Sequence, residues 1–97
     1  MPYGLKKETL QRITEVFSKH SQVDQAILYG SRAIGNYKNG SDIDITLKGC
    51  DLNLSILNRI CNELDDLLLP YTFDISILHQ ISNPDLQDHI KRIGIYL

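Results

Sequence analysis

Gly30 and Ser31 are residue types that could bind a phosphate group. They follow the apolar run Ala26 to Tyr29 and precede a predicted helical turn. Backbone N–H groups at such a bend point outward and favour an anion. Gly30 has no Cβ, so a phosphate could approach its backbone closely, and the Ser31 hydroxyl could donate one further hydrogen bond. By itself, however, a Gly-Ser pair is more often an ordinary turn that ends a strand.

Three aspartates are candidates for holding a metal ion. Asp42 and Asp44 alternate with apolar residues, and on a strand their Cβ atoms would lie on one face, roughly 6–7 Å apart. Asp74 interrupts another apolar strand and shares a face with Thr72 and Ser76. Each aspartate alone could be solvated, but three on adjacent strands would need a counterion. Mg²⁺ suits such oxygen ligands and is often held by carboxylates together with substrate phosphates.

The elements that would position these residues alternate between helix and strand. Asn53 and Asn83 are typical helix N-caps, and Pro84 suits a first helical position. The apolar spacing predicts helices over residues 5–20, 53–68 and 84–93, strands over 23–29, 41–47 and 71–78, and a helical turn after Gly30.

The candidate site also constrains the topology. If Ser31, after the first strand, and Asp42, at the start of the second, touch one ligand, these strands must be antiparallel. The helix over 53–68 would then cross over to a parallel third strand that carries Asp74. We therefore predict an α+β fold in two layers, a small mixed β-sheet with helices packed on it. Residues 1–97 would form a single domain with its site at one rim of the sheet.

Composition and charge exclude several classes of protein. The 97 residues carry a net charge of −2, with +3 over residues 1–40 and −5 over residues 41–97, which argues against general nucleic-acid binding. No apolar run is long enough to span a membrane, and the N-terminus does not resemble a secretion signal. Cys50 and Cys61 are too few for a disulfide framework. We therefore expect a cytoplasmic protein.

The paired motif resembles the signature of a known enzyme family. Gly30-Ser31, ten intervening residues and then Asp42-Ile43-Asp44 are similar to the minimal nucleotidyltransferases (MNT) of the DNA polymerase beta superfamily. The resemblance implies the nucleotidyltransferase fold and Mg²⁺-dependent transfer of a nucleoside monophosphate from ATP or another NTP, AMP in the case of ATP, to an acceptor hydroxyl. Many such chains resemble antitoxins of HEPN–MNT pairs. A helical HEPN-type partner protein that presents a tyrosine is therefore expected.

The resemblance also implies a role for each motif residue. Asp74 would accept the proton of the acceptor hydroxyl. The sequence departs from the family at Ile34, where other members often carry a second basic residue. Nucleotide phosphates would be bound by Gly30, Ser31 and Arg32, and two Mg²⁺ ions by Asp42, Asp44 and Asp74.

Other interpretations remain open at this stage. The chain could be a nucleotide-binding antitoxin that acts by steric block without turnover, could modify a small molecule such as an aminoglycoside, or could be a structural αβ domain with an acidic rim. The histidines His20, His79 and His89 show no metal-ligand spacing, and packing or surface roles are predicted for them.

Overall fold

Helices and strands follow the predicted order, with one addition at the C-terminal end. The computed structural model describes residues 2–97. The helices are α1 (Lys7–Ser18), α2 (Ser31–Ile34), α3 (Leu54–Asp65) and α4 (Pro84–Ile93). The strands are β1 (Gln25–Tyr29), β2 (Ile43–Lys48), β3 (Phe73–Ile77) and β4 (Ile95–Tyr96). Short 3₁₀ turns lie at Pro2–Gly4 and Leu78–Gln80.

The ends of the two longer C-terminal helices have local causes. The Asn53 side chain accepts a hydrogen bond from the backbone N–H of Ile56, and Asn83 caps α4 in the same way, as predicted. Helix α3 ends three residues earlier than predicted, at Asp65. The chain beyond it turns through Leu68, whose φ of 54° is left-handed, before it reaches Pro70. A helix therefore cannot continue through this segment.

One four-stranded sheet in the order β3-β2-β1-β4 joins the strands. β1 runs antiparallel to both β2 and β4, whereas β2 and β3 are parallel, so the predicted mixed sheet is confirmed. Strand β4 was not predicted. It has only two residues, Ile95 and Tyr96, too few to show an alternating pattern, and it forms because the chain after α4 meets the free edge of β1.

Apolar side chains cover the two faces of the sheet unequally. The main core packs one face of the sheet against α1 and α3, and includes Leu28, Ile45, Ile13, Ile60 and Leu64. On the other face, Ile27 and Tyr29 pack against Ile90 of α4. Asp44 and Asp74 belong to this second face, because they alternate with core residues along β2 and β3. The acidic residues therefore occupy the thinly covered side of the sheet.

No helix within residues 2–97 combines the length and the apolar character that a membrane crossing requires.

Candidate active site

The turn after β1 has a backbone that favours glycine. Gly30 has a φ of 76° and a ψ of −156°, a region that side chains with a Cβ rarely occupy. Its carbonyl accepts hydrogen bonds from the N–H groups of Ala33 and Ile34, both at 3.1 Å, so that α2 starts directly at Ser31. A Cβ at position 30 would collide with the carboxylate of Asp44. The turn and this aspartate are therefore in direct contact.

Asp44 and Asp74 are lateral neighbours in the parallel pair of β2 and β3. Adjacent strands lie about 4.8 Å apart, so both carboxylates leave the same face at the same height. On the opposite side of Asp44, Tyr29 is its partner in the antiparallel pair of β1 and β2. The sheet thus brings together residues 29, 44 and 74 in one row at the rim where the Gly30 turn begins.

Asp42 lies just before β2 rather than within it, contrary to the prediction that both aspartates share a strand. The segment that precedes it is still a turn, because the N–H of Ser41 donates to the carbonyl of Lys38 at 3.0 Å. Regular pairing begins only at Ile43, whose N–H donates to the carbonyl of Thr72 at 2.9 Å. Asp42 is exposed beside the row instead of on it.

The three aspartates form an acidic site without a balancing charge. Within residues 2–97, none of their carboxylates accepts a hydrogen bond or joins an ion pair. Burial raises the pKa of the Asp44 carboxyl, the charges of Asp74 and then Asp42 raise it further, and the nearby His89 acts in the opposite direction. The same two effects, burial and then the neighbouring carboxylates of Asp74 and Asp44, raise the pKa of the Tyr29 hydroxyl. Such a site favours a cation.

The donor set fits a hard cation that is only partly held by protein. Carboxylate oxygens are the ligands that Mg²⁺ prefers, and Mg²⁺ commonly needs only one or two of them when phosphates supply the rest. In the described part of the chain, no three His, Cys, Asp or Glu side chains are already arranged to enclose a metal. Asp44 and Asp74 are thus placed together by register, and Asp42 lies near enough for its charge to raise the pKa of Asp44.

Two buried hydroxyls lie one step further along the same face. Thr46 and Ser76 are partners in the β2–β3 pair, directly after Asp44 and Asp74. Their hydroxyl oxygens are buried and have no hydrogen-bond partner within residues 2–97, and Thr46 is fully buried. They therefore lie beneath the acidic site rather than at its surface, and nothing in the sequence distinguishes them from exposed strand residues.

Arg32 differs from its predicted role as a phosphate ligand. It is 2% exposed, and its guanidinium donates to the carbonyl of Ser41 at 2.9 and 3.1 Å and to the carbonyl of Tyr3 at 2.9 Å. The rings of Tyr37 and Tyr71 lie 5.3 and 5.0 Å from it. Its donors are thus directed into the protein. Arg32 fixes the segment that leads to Asp42, and it is not presented to a ligand.

His89 belongs to the site, although the sequence predicts only a packing or surface role for it. The N–H of Gly30 donates to its Nε2 at 3.1 Å, and its ring meets Tyr29 edge-on at 6.2 Å. The helical pattern places residue 89 next to the buried Ile90 but cannot reveal a partner 59 residues away. The Gly30 N–H was expected to face a phosphate, but it is already hydrogen-bonded to the His89 side chain.

Paired carboxylates at the rim of a small mixed sheet, beside a glycine-serine turn, are what the resemblance to nucleotidyltransferases led us to expect. The comparison with protein families agrees, because the profile described as Polymerase beta, Nucleotidyltransferase matches residues 11–97. That match covers most of the chain, which therefore belongs to this nucleotidyltransferase family.

Solved structures support the same fold. A toxin–antitoxin crystal structure with AMP-PNP matches with a TM-score of 0.71 and 19% identity, over 95% of this chain and 72% of the other. A structure of a tri-AMPylated Shewanella oneidensis HEPN toxin in complex with MNT antitoxin matches with a TM-score of 0.69 and 17% identity, over 95% and 71%. The structure of the MntA-HepT toxin–antitoxin matches with a TM-score of 0.69 and 17% identity, over 94% of this chain and 70% of the other. No curated protein sequence matches the chain.

Proposed function

We propose that this nucleotidyltransferase is an MNT antitoxin that transfers AMP from ATP to a tyrosine hydroxyl of a HEPN-type partner protein. The observation that carries the proposal is the pair Asp44 and Asp74, adjacent in register, against the Gly30 turn and without a counter-charge. The presence of AMP-PNP in one structural neighbour and of AMPylated HEPN toxin in another supports the choice of nucleotide and acceptor.

Each residue of the site has a definite task in such a transfer. Ser31 would donate hydrogen bonds from its hydroxyl and its N–H to the phosphates, while Gly30, which has no Cβ, leaves room for the Asp44 carboxylate beside the turn. Asp42, Asp44 and Asp74 would hold Mg²⁺. The chemistry that Mg²⁺ would supply there is neutralisation of the negative charge on the triphosphate and on the reacting oxygens.

The bonds and protons of the transfer balance without any further reactant. A bond forms between the tyrosine oxygen and the α-phosphorus, the bond from that phosphorus to the bridging oxygen breaks, and pyrophosphate leaves. Asp74 would accept the proton of the tyrosine hydroxyl, since it is exposed and lies beside Asp44. Holding both reactants in line accounts for much of the rate enhancement in such reactions.

The test is a labelling experiment with a co-expressed HEPN-type partner. The wild-type chain should label the partner from ATP carrying radioactive α-phosphate, but not from ATP labelled at the γ-phosphate. Asp44→Asn and Asp74→Asn should each remove the label. The matched control is Asp51→Asn, because Asp51 is exposed in the turn beyond the opposite end of β2.

Three results would contradict the proposal. Label that persists in the Asp44→Asn, Asp74→Asn double variant would show that these carboxylates are not needed. A partner that is neutralised but never labelled would indicate an antitoxin that acts by steric block. Label on a small molecule in the absence of the partner would indicate a different acceptor. A cytoplasmic location stays a prediction, and fractionation of cells would test it.

A further inference from the structure

His89 connects α4 to the turn at the proposed active site. Its Nε2 lies 3.1 Å from the backbone nitrogen of Gly30 and accepts a hydrogen bond from that N–H group. Its ring packs edge-on against Tyr29, with an angle of 77° between the ring planes. The side chain is half-buried, and the next residue, Ile90, anchors α4 on the sheet. The imidazole is therefore held in place by its helix and by the neighbouring aromatic ring.

The hydrogen bond requires one particular form of the imidazole. An Nε2 that accepts a hydrogen bond carries no proton, so in the neutral ring the proton is on Nδ1. The acceptor is directed at the peptide that joins Tyr29 to Gly30, and the Gly30 Cα lies against the Asp44 carboxylate. A glycine with a positive φ has many alternative conformations, and a bonded N–H removes most of them.

We propose that His89 is a positioning residue for nucleotide transfer. By accepting a hydrogen bond from the Gly30 N–H, it holds the turn in the conformation in which Asp44 and the phosphates of the nucleotide can meet. The inference rests on the proposed function, because it assigns a role in that reaction. In this role His89 acts through the Gly30 turn and not directly on the nucleotide or the acceptor. Helix α4 thereby supports the site from the second face of the sheet.

Two substitutions separate the acceptor atom from the ring. His89→Phe keeps an aromatic ring against Tyr29 and removes the acceptor. His89→Gln places an amide oxygen near the position of Nε2 and removes the ring. The control is His79→Phe, since His79 is an exposed histidine in the 3₁₀ turn after β3. A role in packing alone predicts that Phe is the better replacement, whereas a positioning role predicts that Gln is.

The first measurement needs no activity. The chain has three histidines and six glycines, so ring ¹⁵N shifts and the amide spectrum of glycine-labelled protein can be assigned. We expect an unprotonated Nε2 on His89 at pH 8 and a Gly30 amide protected from hydrogen exchange. In His89→Phe, the Gly30 amide signal should shift and the amide should lose its protection from hydrogen exchange. In His89→Gln, the Gly30 amide should keep much of that protection. A protonated Nε2 in the neutral wild-type ring would overturn the proposal.

The second measurement is the AMP-transfer rate with the HEPN-type partner. We expect His89→Phe to lower kcat by about tenfold with a smaller change in the KM for ATP, on the scale of one hydrogen bond. His89→Gln should recover most of the rate, and His79→Phe should match the wild type. Equal rates for His89→Phe and wild type, or an equal loss in both His89 variants, would overturn the positioning role.

The two proposals fail in different ways. A wild-type chain that transfers no AMP would refute the proposed function and the role of His89 in it, even if the spectra show the hydrogen bond. A transfer that proceeds normally in His89→Phe would refute only the positioning role. If His89→Phe does not give a dispersed amide spectrum, His89→Leu, which also lacks an acceptor, replaces it in both measurements with the same expected losses.

Discussion

Replacing Asp44 by asparagine should stabilise the protein while it removes AMP transfer. Asp44 and Asp74 are direct cross-strand neighbours, and no cation within residues 2–97 pairs with either of them. Asparagine has nearly the shape of aspartate but no charge. Asp44→Asn therefore deletes the repulsion and leaves the packing of β2 intact.

The geometry sets the size of the effect. Like charges directly opposite each other on adjacent strands cost roughly 0.2–1 kcal/mol. Because Asp74 is exposed, solvent screens its charge, so the lower half of that range applies. For a domain of this size, 1 kcal/mol corresponds to a change in Tm of about 4–8 °C. We therefore expect Asp44→Asn to raise the Tm by about 1–4 °C at pH 7.

The rise in Tm caused by Asp44→Asn must depend on pH, and the direction of this dependence follows from the pKa of Asp44. Burial and the nearby carboxylates raise that pKa, so the folded protein binds the proton more tightly than the unfolded chain does. The wild type consequently loses stability as the pH rises through the raised pKa, and the asparagine variant does not. The difference in Tm between the two proteins should grow as the pH rises from about 4, the ordinary pKa of aspartate, through the raised pKa of Asp44, and should level off above it.

Thermal unfolding monitored by circular dichroism across this pH range is the assay, with Asp51→Asn as the control. Millimolar Mg²⁺ should raise the Tm of the wild type more than that of Asp44→Asn, since a ligand stabilises the state that binds it. A lower Tm for Asp44→Asn at pH 7, or a gain that does not change with pH, would refute the electrostatic reasoning.

Three further substitutions test other parts of the site by thermal or urea unfolding. Gly30→Ala should cost about 1–3 kcal/mol for a backbone conformation, with a φ of 76° and a ψ of −156°, that glycine adopts almost alone, and it should in addition displace the Asp44 carboxylate. Gly40→Ala, with a φ of 86° and open space around a Cβ, should show the backbone cost alone, so equal losses would contradict the contact. Arg32→Lys should lose about 2–4 kcal/mol, because a point charge cannot replace a planar group bonded to two carbonyls; an unchanged Tm would be incompatible with this. Thr46→Val should gain about 1 kcal/mol, since it removes a buried hydroxyl without a partner, and a loss would mean that the hydroxyl is bonded.

Local patterns account for the elements that were predicted well. Asn53 and Asn83 act on N–H groups two or three residues away, so their capping roles can be read from neighbouring residues. The alternation around Asp74 reflects the pleat of a single strand. Strand β4 and the late start of β2, which begins after Asp42 rather than before it, were missed, because both depend on which strand the chain meets next.

The roles of Arg32 and His89 could not be predicted from the sequence for the same reason. An arginine next to a glycine-serine turn is as suitable for a phosphate as for buried carbonyls. Only the approach of Tyr3, Tyr37 and Tyr71 from three separate segments encloses it. His89 likewise meets its hydrogen-bond partner, the Gly30 N–H, only because α4 packs against β1.

The sequence by itself determined the residue types of the site, the order of the elements and the mixed sheet, because spacing along one chain fixes strand faces, helix ends and crossover geometry. Only the tertiary structure decided which charges meet. Register set Asp44 beside Asp74, packing turned Arg32 inward, and α4 brought His89 to the Gly30 amide. These contacts join residues up to 59 positions apart, and such pairings are fixed by the packing of whole elements rather than by any local pattern.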